Sequence, residues 1–115
     1  MRLFSWNVNG IRSAHRKGFF DWYKKQRCDV LCLQELKAQE DQIDVKSMFS
    51  KNTYSYFKCA VKKGYSGVSI HTKIKPDNVI YEYGDKEFDD EGRYIEVQFG
   101  NLSVISLYAP SGSSG

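Results

Sequence analysis

The sequence lacks a long apolar run, an N-terminal secretion signal and any cysteine pair at C-x-x-C spacing. A membrane-spanning helix needs about 20 consecutive apolar residues and a secretion signal needs a short apolar core, so we predict neither. The three cysteines, Cys28, Cys32 and Cys59, leave one unpaired in any disulfide scheme, which is typical of a reducing, intracellular compartment. Cys28 and Cys32 flank or lie in an apolar run, where a thiol usually packs as a small buried hydrophobe.

Internal repeats are also absent, and only residues 111–115 are of low complexity. Hydrophobic residues make up 41% of the 115 residues and aromatic residues 15%, which excludes a largely disordered chain and favours one domain with a modest core. The net charge of +3 is only mildly basic. Such a charge is compatible with a nucleic-acid partner but does not require one, because phosphate binding depends on where the charges cluster.

The apolar pattern of the N-terminal third predicts an α/β fold. Residues 2–8 and 29–33 are apolar on both faces, as buried strands are. Between them, apolar residues recur at helical spacing over residues 13–26. A strand, a helix and a strand in that order indicate two parallel strands joined by a crossover helix.

The rest of the chain predicts a weaker helix over residues 39–49 and then five strands. These strands cover residues 54–61, 67–73, 79–83, 93–99 and 102–108. An acidic loop is predicted over residues 84–92, and Gly100-Asn101 is typical of a two-residue hairpin turn. With seven strands and two helices, the sheet surface exceeds what the helices can cover. The apolar residues that need a further partner surface are Ile70, Val97, Val104 and Leu107.

Two polar residues stand where the first two strands end. Asn7 closes the first strand and Glu35 follows the second, so parallel pairing would bring both to the carboxyl edge of the sheet, where open α/β sheets place their sites. A carboxylate there suits Mg²⁺, and an amide could bind a phosphate oxygen or orient the carboxylate. Both positions also suit ordinary turn or solvated residues, and strand position alone favours that interpretation over a metal site.

Five short blocks then occur in order along the chain. They are residues 6–12 (WNVNGIR), 29–35 (DVLCLQE) followed by Lys37, 64–68 (GYSGV), 92–93 (GR) and 107–112 (LYAPSG). Each block is weak alone, but the ordered set resembles the exonuclease III-type abasic-site endonucleases of the endonuclease/exonuclease/phosphatase superfamily. The resemblance implies a DNase I-like, four-layer α/β sandwich. Residues 1–115 would then be the N-terminal portion of one such domain, supplying mainly one mixed sheet and its helices.

The resemblance also implies roles for individual residues. Glu35 matches the position that binds the catalytic divalent ion, Mg²⁺ or alternatively Mn²⁺. Asn7 matches an active-site asparagine beside the metal and the scissile phosphate, and Tyr108 matches an active-site tyrosine near that phosphate. Four further residues match positions at or near the DNA-binding surface: Asn9, Arg12, Lys37 and Arg93.

The implied activity is hydrolysis of the phosphodiester 5′ to abasic sites in double-stranded DNA, together with trimming of 3′ ends. The full-length protein would be a monomer without membrane association, in the bacterial cytoplasm at the nucleoid or in a eukaryotic nucleus. Family members are longer, and the additional part carries the residues that activate water, so residues 1–115 alone are expected to be inactive. Two alternatives stay open, namely a related phosphodiesterase acting on RNA, inositol phosphate or sphingolipid, and a non-catalytic DNA-binding module.

Overall fold

The computed structural model describes residues 1–109, and the last part of the fifth block, residues 110–112, lies outside the described residues. Seven strands are found within residues 1–109, as predicted, together with four short α-helices and a 3₁₀ turn. The elements in chain order are β1 Leu3–Asn7, α1 Ile11–Arg16, α2 Phe19–Lys24, β2 Val30–Gln34, the 3₁₀ turn Glu40–Gln42, α3 Val45–Met48, β3 Tyr54–Lys58, β4 Val68–Thr72, β5 Asn78–Ile80, α4 Lys86–Asp90, β6 Tyr94–Phe99 and β7 Leu102–Leu107.

The strands divide between two sheets. The first is mixed, in the order β1-β2-β4-β3, and its β1–β2 pair is parallel, with Asn7 opposite Gln34. This pairing confirms the predicted parallel strands. The second sheet is antiparallel, in the order β5-β6-β7, and Phe99 faces Leu102 across the Gly100-Asn101 turn, which confirms the predicted hairpin. Mainly one sheet was expected, but the hairpin forms a second sheet because its apolar face packs on the first.

That packing supplies the partner surface that the strand pattern required. Ile70 of the first sheet and Val97 and Val104 of the second are buried in one cluster between the sheets. Leu107 stays 49% exposed, because side chains alternate along a strand and Leu107 lies on the opposite face of β7 from Val104. The two sheets therefore cover each other through one face each.

The helices cover the other face of the first sheet. Ile11 of α1, Phe20 and Tyr23 of α2, and Met48 of α3 are buried there in a second cluster with Leu31 and Leu33 of β2. Strands β2 and β4 are consequently buried on both faces. The apolar run of β2 predicts this burial, whereas β4 is buried although it contains Ser69, His71 and Thr72. The described residues thus form a helix layer and two sheet layers, and the mixed sheet lies in the middle.

The predicted helix over residues 13–26 is two helices instead of one. Gly18 adopts a left-handed conformation, with φ of 90°, and its N–H donates to the His15 carbonyl, which ends α1 before α2 begins. Glycine favours such helix ends because it has no Cβ. The weaker helix predicted over residues 39–49 is likewise shorter, consisting of the 3₁₀ turn and α3.

The acidic segment is a helix and not the solvated loop that the sequence predicted. Asp85 caps α4, because its carboxylate accepts hydrogen bonds from the N–H groups of Glu87 and Phe88. Asp89 accepts from the N–H of Tyr83 at 2.7 Å, and Asp90 pairs with Lys86 at 2.6 Å. These carboxylates organise the local backbone, so the cluster is structural.

The cysteines behave as their apolar surroundings predict. Cys28 and Cys32 are buried, Cys59 is half-buried and all three thiols are free. Burial raises the pKa of the Cys32 thiol to about 12, which disfavours the reactive thiolate. Over residues 1–109, no helix combines the length and the apolar character needed to cross a bilayer.

The buried His71 is expected to make stability depend on pH. Its ring stacks on Phe49 with centroids 3.9 Å apart, and its two nitrogens lie 2.7 Å from the hydroxyls of Ser55 and Ser69. Burial lowers the pKa of His71 from 6.5 to about 3. The contribution of neutral His71 to stability is therefore fully present above pH 6.5, where His71 is neutral in the unfolded chain as well. This contribution is lost as the pH falls from 6.5 towards 3, because only the unfolded chain then takes up the proton. Urea unfolding should show a loss of about 2 kcal/mol between pH 7.5 and pH 5, since one pKa unit is worth about 1.4 kcal/mol.

The matched control is His71→Gln, which removes the titrating group and should flatten the pH dependence over that interval. Imidazole NMR of the unmodified chain provides an independent check, because the His71 resonances should stay those of a neutral ring at pH 5. Protonation of His71 near pH 6.5 in the folded chain would contradict the expectation.

Candidate active site

The five sequence blocks meet at one edge of the structure through their main chains. Each block is hydrogen-bonded to the next. The N–H of Gly10 in the first block donates to the Glu35 carbonyl at 2.8 Å, and the N–H of Leu36, directly after Glu35, donates to the Gly67 carbonyl of the third block at 3.1 Å. The N–H of Gly67 donates to the Gly92 carbonyl of the fourth block at 3.1 Å, and the N–H of Tyr108 in the fifth block donates to the Arg93 carbonyl at 2.9 Å. The edge is the carboxyl end of the parallel β1–β2 pair. Segments that are up to a hundred residues apart therefore build one continuous surface, and we call it the block edge.

Gln34 joins the two sheets at this edge. Its side-chain amide donates to the hydroxyl of Ser5 on β1 at 3.1 Å and to that of Ser106 on β7 at 3.0 Å. The buried Ser106 hydroxyl in turn donates to the Leu33 carbonyl at 2.9 Å. These bonds set the end of β7 beside the end of β2, which brings Tyr108 to the same edge as Glu35. Sequence reasoning missed this role of Gln34, although the residue lies within the second block.

The backbone is strained at the block edge. Within residues 1–109, four residues other than glycine have positive φ, namely Asn9 at 46°, Glu35 at 58°, Lys37 at 53° and Ser66 at 50°. All four lie in the first three blocks or directly beside them. A left-handed conformation costs such a residue on the order of 1–3 kcal/mol, and strain of this kind is concentrated at functional sites.

Asn7 and Glu35 occupy the adjacent strand ends that the sequence predicted. Asn7 pairs with Gln34 in the parallel register, so Glu35 follows directly at the neighbouring strand. The side-chain oxygen of Asn7 accepts a hydrogen bond from the N–H of Asn9 at 2.9 Å. The Glu35 side chain is 20% exposed, and its carboxylate lies 3.4 Å from the ammonium of Lys37. An accessible carboxylate thus stands at the block edge beside an amide.

This donor set fits a hard divalent ion. Among residues 1–109, no three carboxylate, histidine or cysteine side chains come together, so the described residues lack the three or four ligands that Zn²⁺ takes. Mg²⁺ takes one or two protein carboxylates and completes its shell with waters and substrate phosphates. Glu35 is a carboxylate at the block edge, and Asn7 is a neutral amide at the end of the adjacent strand.

Three of the predicted DNA-binding residues form one polar cluster. The ammonium of Lys37 donates to the side-chain oxygen of Asn9 at 2.7 Å, and the guanidinium of Arg12 donates to the Lys37 carbonyl at 3.0 Å. Asn9 and Arg12 are exposed and Lys37 is half-buried. The structure therefore places two cations and an amide next to Glu35, in an arrangement that suits a phosphate backbone.

Arg93 is not part of that exposed cluster. Its side chain is buried, with 7% of the residue exposed, and it bonds to two residues that sequence reasoning did not assign to the site, Glu91 and Tyr65. Its guanidinium carbon lies 5.5 Å from the ring centroid of Tyr108, which is half-buried. Arg93 was expected at the phosphate-binding surface, and the structure places it beneath Tyr108.

An aromatic cleft adjoins the block edge. It encloses about 410 Å³, and its lining includes Trp6, Phe19, Trp22 and Asn9. Trp6 and Trp22 are both exposed although their rings pack together. Glu35 and Tyr108 do not line the cleft, so it lies beside the charged groups and does not contain them.

Two of the relatives found by comparison with known proteins match over the whole chain. The exodeoxyribonuclease of Bacillus subtilis (strain 168) is 42% identical over 116 residues, covering 100% of this chain and 45% of the relative. The DNA repair nuclease APEX1 of Danio rerio is 38% identical, covering 100% of this chain and 38% of the relative. The chain thus spans less than half the length of either protein.

A solved structure also matches the fold of this chain. The crystal structure of the catalytic domain of APE2 from Xenopus laevis matches with a TM-score of 0.74 at 30% identity, over 96% of this chain and 46% of that domain. This match confirms the DNase I-like α/β fold. The model of the Endonuclease/Exonuclease/phosphatase family matches residues 4–113, a range that contains all five blocks. The chain therefore belongs to the Endonuclease/Exonuclease/phosphatase family.

Proposed function

We propose that this chain carries the metal-binding part of a DNA-repair phosphodiesterase. The whole protein would hydrolyse the phosphodiester 5′ to abasic sites and trim 3′ ends, in the bacterial cytoplasm or a eukaryotic nucleus. The observation that carries this proposal is the meeting of all five blocks at the block edge, which has Glu35, Tyr108 and the cluster of Asn9, Arg12 and Lys37 (the cationic cluster) along it. The names of the two relatives, an exodeoxyribonuclease and a DNA repair nuclease, support DNA as the substrate.

In this proposal Glu35 holds the divalent ion, Mg²⁺ or Mn²⁺, and Asn7 contacts a phosphate oxygen. The ion, when bound, polarises the phosphate and stabilises the leaving oxygen. The Asn7 side-chain oxygen is already used by Asn9 N–H, so its NH₂ group would be presented to the phosphate. The hydroxyl of Tyr108 would lie near the same phosphate as a hydrogen-bond donor.

The cationic cluster would position the duplex. Lys37 and Arg12 would each neutralise a DNA phosphate, and Asn9, which accepts a hydrogen bond from Lys37 at 2.7 Å, would orient the Lys37 ammonium. Contacts of this type carry no sequence information but fix the register of the duplex. They also make affinity fall with salt, because each neutralised phosphate releases counterions. We therefore propose that binding at this surface is independent of sequence and sensitive to salt.

The test compares residues 1–115 with the protein expressed from its intact open reading frame. The substrate is a duplex with one abasic-site analogue, assayed with Mg²⁺ and with EDTA. We expect EDTA-sensitive incision on the 5′ side by the protein from the intact frame. We expect no cleavage by residues 1–115, because a positioned base must take the proton of the attacking water and the resemblance places the water-activating residues in the additional part of the longer family members. EDTA-sensitive incision by residues 1–115 would contradict the second expectation.

The same assay separates the alternatives. RNA, inositol phosphate and sphingomyelin, offered at equal concentration, should be cleaved far more slowly than the abasic duplex. A protein that cleaves nothing and binds the duplex equally well without Mg²⁺ would be the non-catalytic module. Gel filtration of the same preparation tests the proposed monomer.

Replacement of Tyr108 by phenylalanine is expected to lower kcat by about 10²-fold while KM changes little, because loss of one donor aimed at the transition state costs about 10²–10³-fold. The change is made in the protein from the intact frame and measured by steady-state cleavage. The matched control is Tyr54→Phe, since Tyr54 lies on β3, the edge strand of the first sheet farthest from β1 in the sheet order. Equal effects of the two changes would remove Tyr108 from the site.

A further inference from the structure

Arg93 is the most deeply buried charged residue of the candidate site, and its side chain is hydrogen-bonded to two residues. Its Nε donates to one carboxylate oxygen of Glu91 at 2.9 Å, and an amino nitrogen donates to the Tyr65 hydroxyl at 2.8 Å. That hydroxyl donates in turn to the other Glu91 oxygen at 3.2 Å. The three groups form a closed ring of hydrogen bonds, which satisfies a buried cation as burial requires.

The guanidinium of this ring is also stacked against two aromatic side chains. Its central carbon lies 5.5 Å from the ring centroid of Tyr108 and 6.0 Å from that of Tyr65, both within the range of a cation–π contact. The Arg93 carbonyl accepts the hydrogen bond of the Tyr108 N–H at 2.9 Å. Arg93 therefore holds Tyr108 through the main chain and through the side chain.

Burial opposes a direct phosphate contact by Arg93. Glu91 and Tyr65 use two of the five N–H donors of the guanidinium. The Arg93 side chain has only 8% of its surface exposed, so a phosphate could reach the other donors only if the side chain moved outward. That movement would also take the guanidinium away from the Glu91 carboxylate, which lies 2.9 Å from its Nε. Arg12 is exposed and the Lys37 side chain is 42% exposed, so both can reach phosphates without such a movement.

We propose that Arg93 is a positioning residue for Tyr108, which it holds in place with the help of Glu91 and Tyr65. The proposal rests on the proposed function, in which the Tyr108 hydroxyl acts at the phosphate. Tyr65 belongs to the third block, and the ammonium of Lys62, two residues before that block, lies 5.5 Å from its ring. Arg93 thus also ties the third block to the tyrosine of the fifth.

The first arm of the test needs no catalysis. With 3-fluorotyrosine introduced at position 108 of residues 1–115, the fluorine NMR spectrum should show one resonance, displaced from that of the unfolded chain. Arg93→Met should move this resonance towards the unfolded value or broaden it, and Arg93→Lys should have a smaller effect. Glu91→Gln is the second variant, which keeps the arginine and weakens its anchor, in case Arg93→Met does not fold. A resonance that is unchanged in every variant that folds overturns the proposal.

The second arm uses the protein from the intact frame and a double-mutant cycle. Arg93→Met should lower kcat by about 10²-fold, the scale of a misplacement of about 1 Å, with KM changed less than about threefold. In the Tyr108→Phe background the same change should cost less than about threefold, because coupled residues are not additive. Additive losses would show that Arg93 acts on stability or on DNA directly, and would overturn the proposal. If the unmodified protein cleaves no DNA, the proposed function fails, while the fluorine arm still decides the placement of Tyr108.

Discussion

Replacing Glu35 with glutamine should abolish metal-dependent cleavage by the protein from the intact frame, with kcat falling about 10³-fold or more. The Glu35 carboxylate is the negatively charged ligand of the proposed metal position. A catalytic ion supplies several kcal/mol of transition-state stabilisation, and each 1.4 kcal/mol is worth about tenfold in rate. Isothermal titration of residues 1–115 with Mn²⁺ gives a second readout, in which Glu35→Gln should lose the binding heat.

Folding should be unaffected by this change. The Glu35 side chain makes one ion pair, with Lys37 at 3.4 Å, and the Lys37 side chain is 42% exposed. Ion pairs with a solvent-exposed partner contribute at most about 1 kcal/mol to stability. The matched control is Glu40→Gln, at an exposed position in the 3₁₀ turn, which should leave both cleavage and Mn²⁺ binding unchanged. Cleavage by Glu35→Gln within tenfold of the unmodified protein would place the metal on other residues.

Replacing Gly92 with alanine should destabilise the fold by more than about 3 kcal/mol. A Cβ at this position would lie 2.6 Å from the nitrogen of Ala60, 2.7 Å from the carbonyl carbon of Cys59 and 2.8 Å from the oxygen of Lys58. All three are main-chain atoms, so no side-chain rotation relieves the overlap. The φ of +61° adds about 1–2 kcal/mol for a residue with a Cβ. Urea unfolding of residues 1–115 measures the loss.

Gly100→Ala is the control that separates conformational strain from overlap. Gly100 has nearly the same φ, +57°, and nothing lies within 4 Å of its hypothetical Cβ. Its replacement should therefore cost only the 1–2 kcal/mol of a left-handed residue. Because the Gly92 carbonyl accepts the Gly67 N–H, Gly92→Ala should also disturb the block edge. Equal losses at the two positions would contradict the overlap argument.

Arg12 and Arg93 show how far residue type alone can take a prediction. Both match positions near the phosphate-binding surface, and the sequence has no feature that separates them. In the structure Arg12 is exposed and next to Lys37, whereas Arg93 is buried against Glu91, Tyr65 and Tyr108. The difference arises because Arg93 stands directly before β6, where the two sheets close on each other. Burial depends on the packing of distant elements, which local sequence does not contain.

The acidic segment shows the same limit for a local structure. A run of carboxylates is usually solvated, yet Asp85 caps α4 and Asp89 binds the N–H groups of Tyr83 and Gly84. A capping residue and acidic residues in the first turn are visible in the sequence. These features predict a helix only if the acidic residues are interpreted as the capped first turn of a helix, and not as a run of solvated charges.

What the sequence alone determined were the features that depend on neighbours along the chain. Alternating and continuous apolar patterns located the seven strands of residues 1–109, the order strand, helix, strand predicted the parallel pairing of β1 and β2, and Gly100-Asn101 predicted the hairpin. Strand ends placed Asn7 and Glu35 at one edge. Each of these rests on a short-range periodicity or on the conformational preference of one or two residues.

Only the tertiary structure decided how those parts meet. Periodicity shows that a strand has an apolar face but not which surface covers it, so the division into two sheets was not predicted. The Gln34–Ser106 bond joins residues 72 positions apart, and it brings Tyr108 to the same edge as Glu35. The steric demand at Gly92 and the burial of Arg93 likewise come from contacts with distant segments. Pairings across such separations depend on the packing of the whole chain, which is the physical reason why the structure was needed to assemble the site.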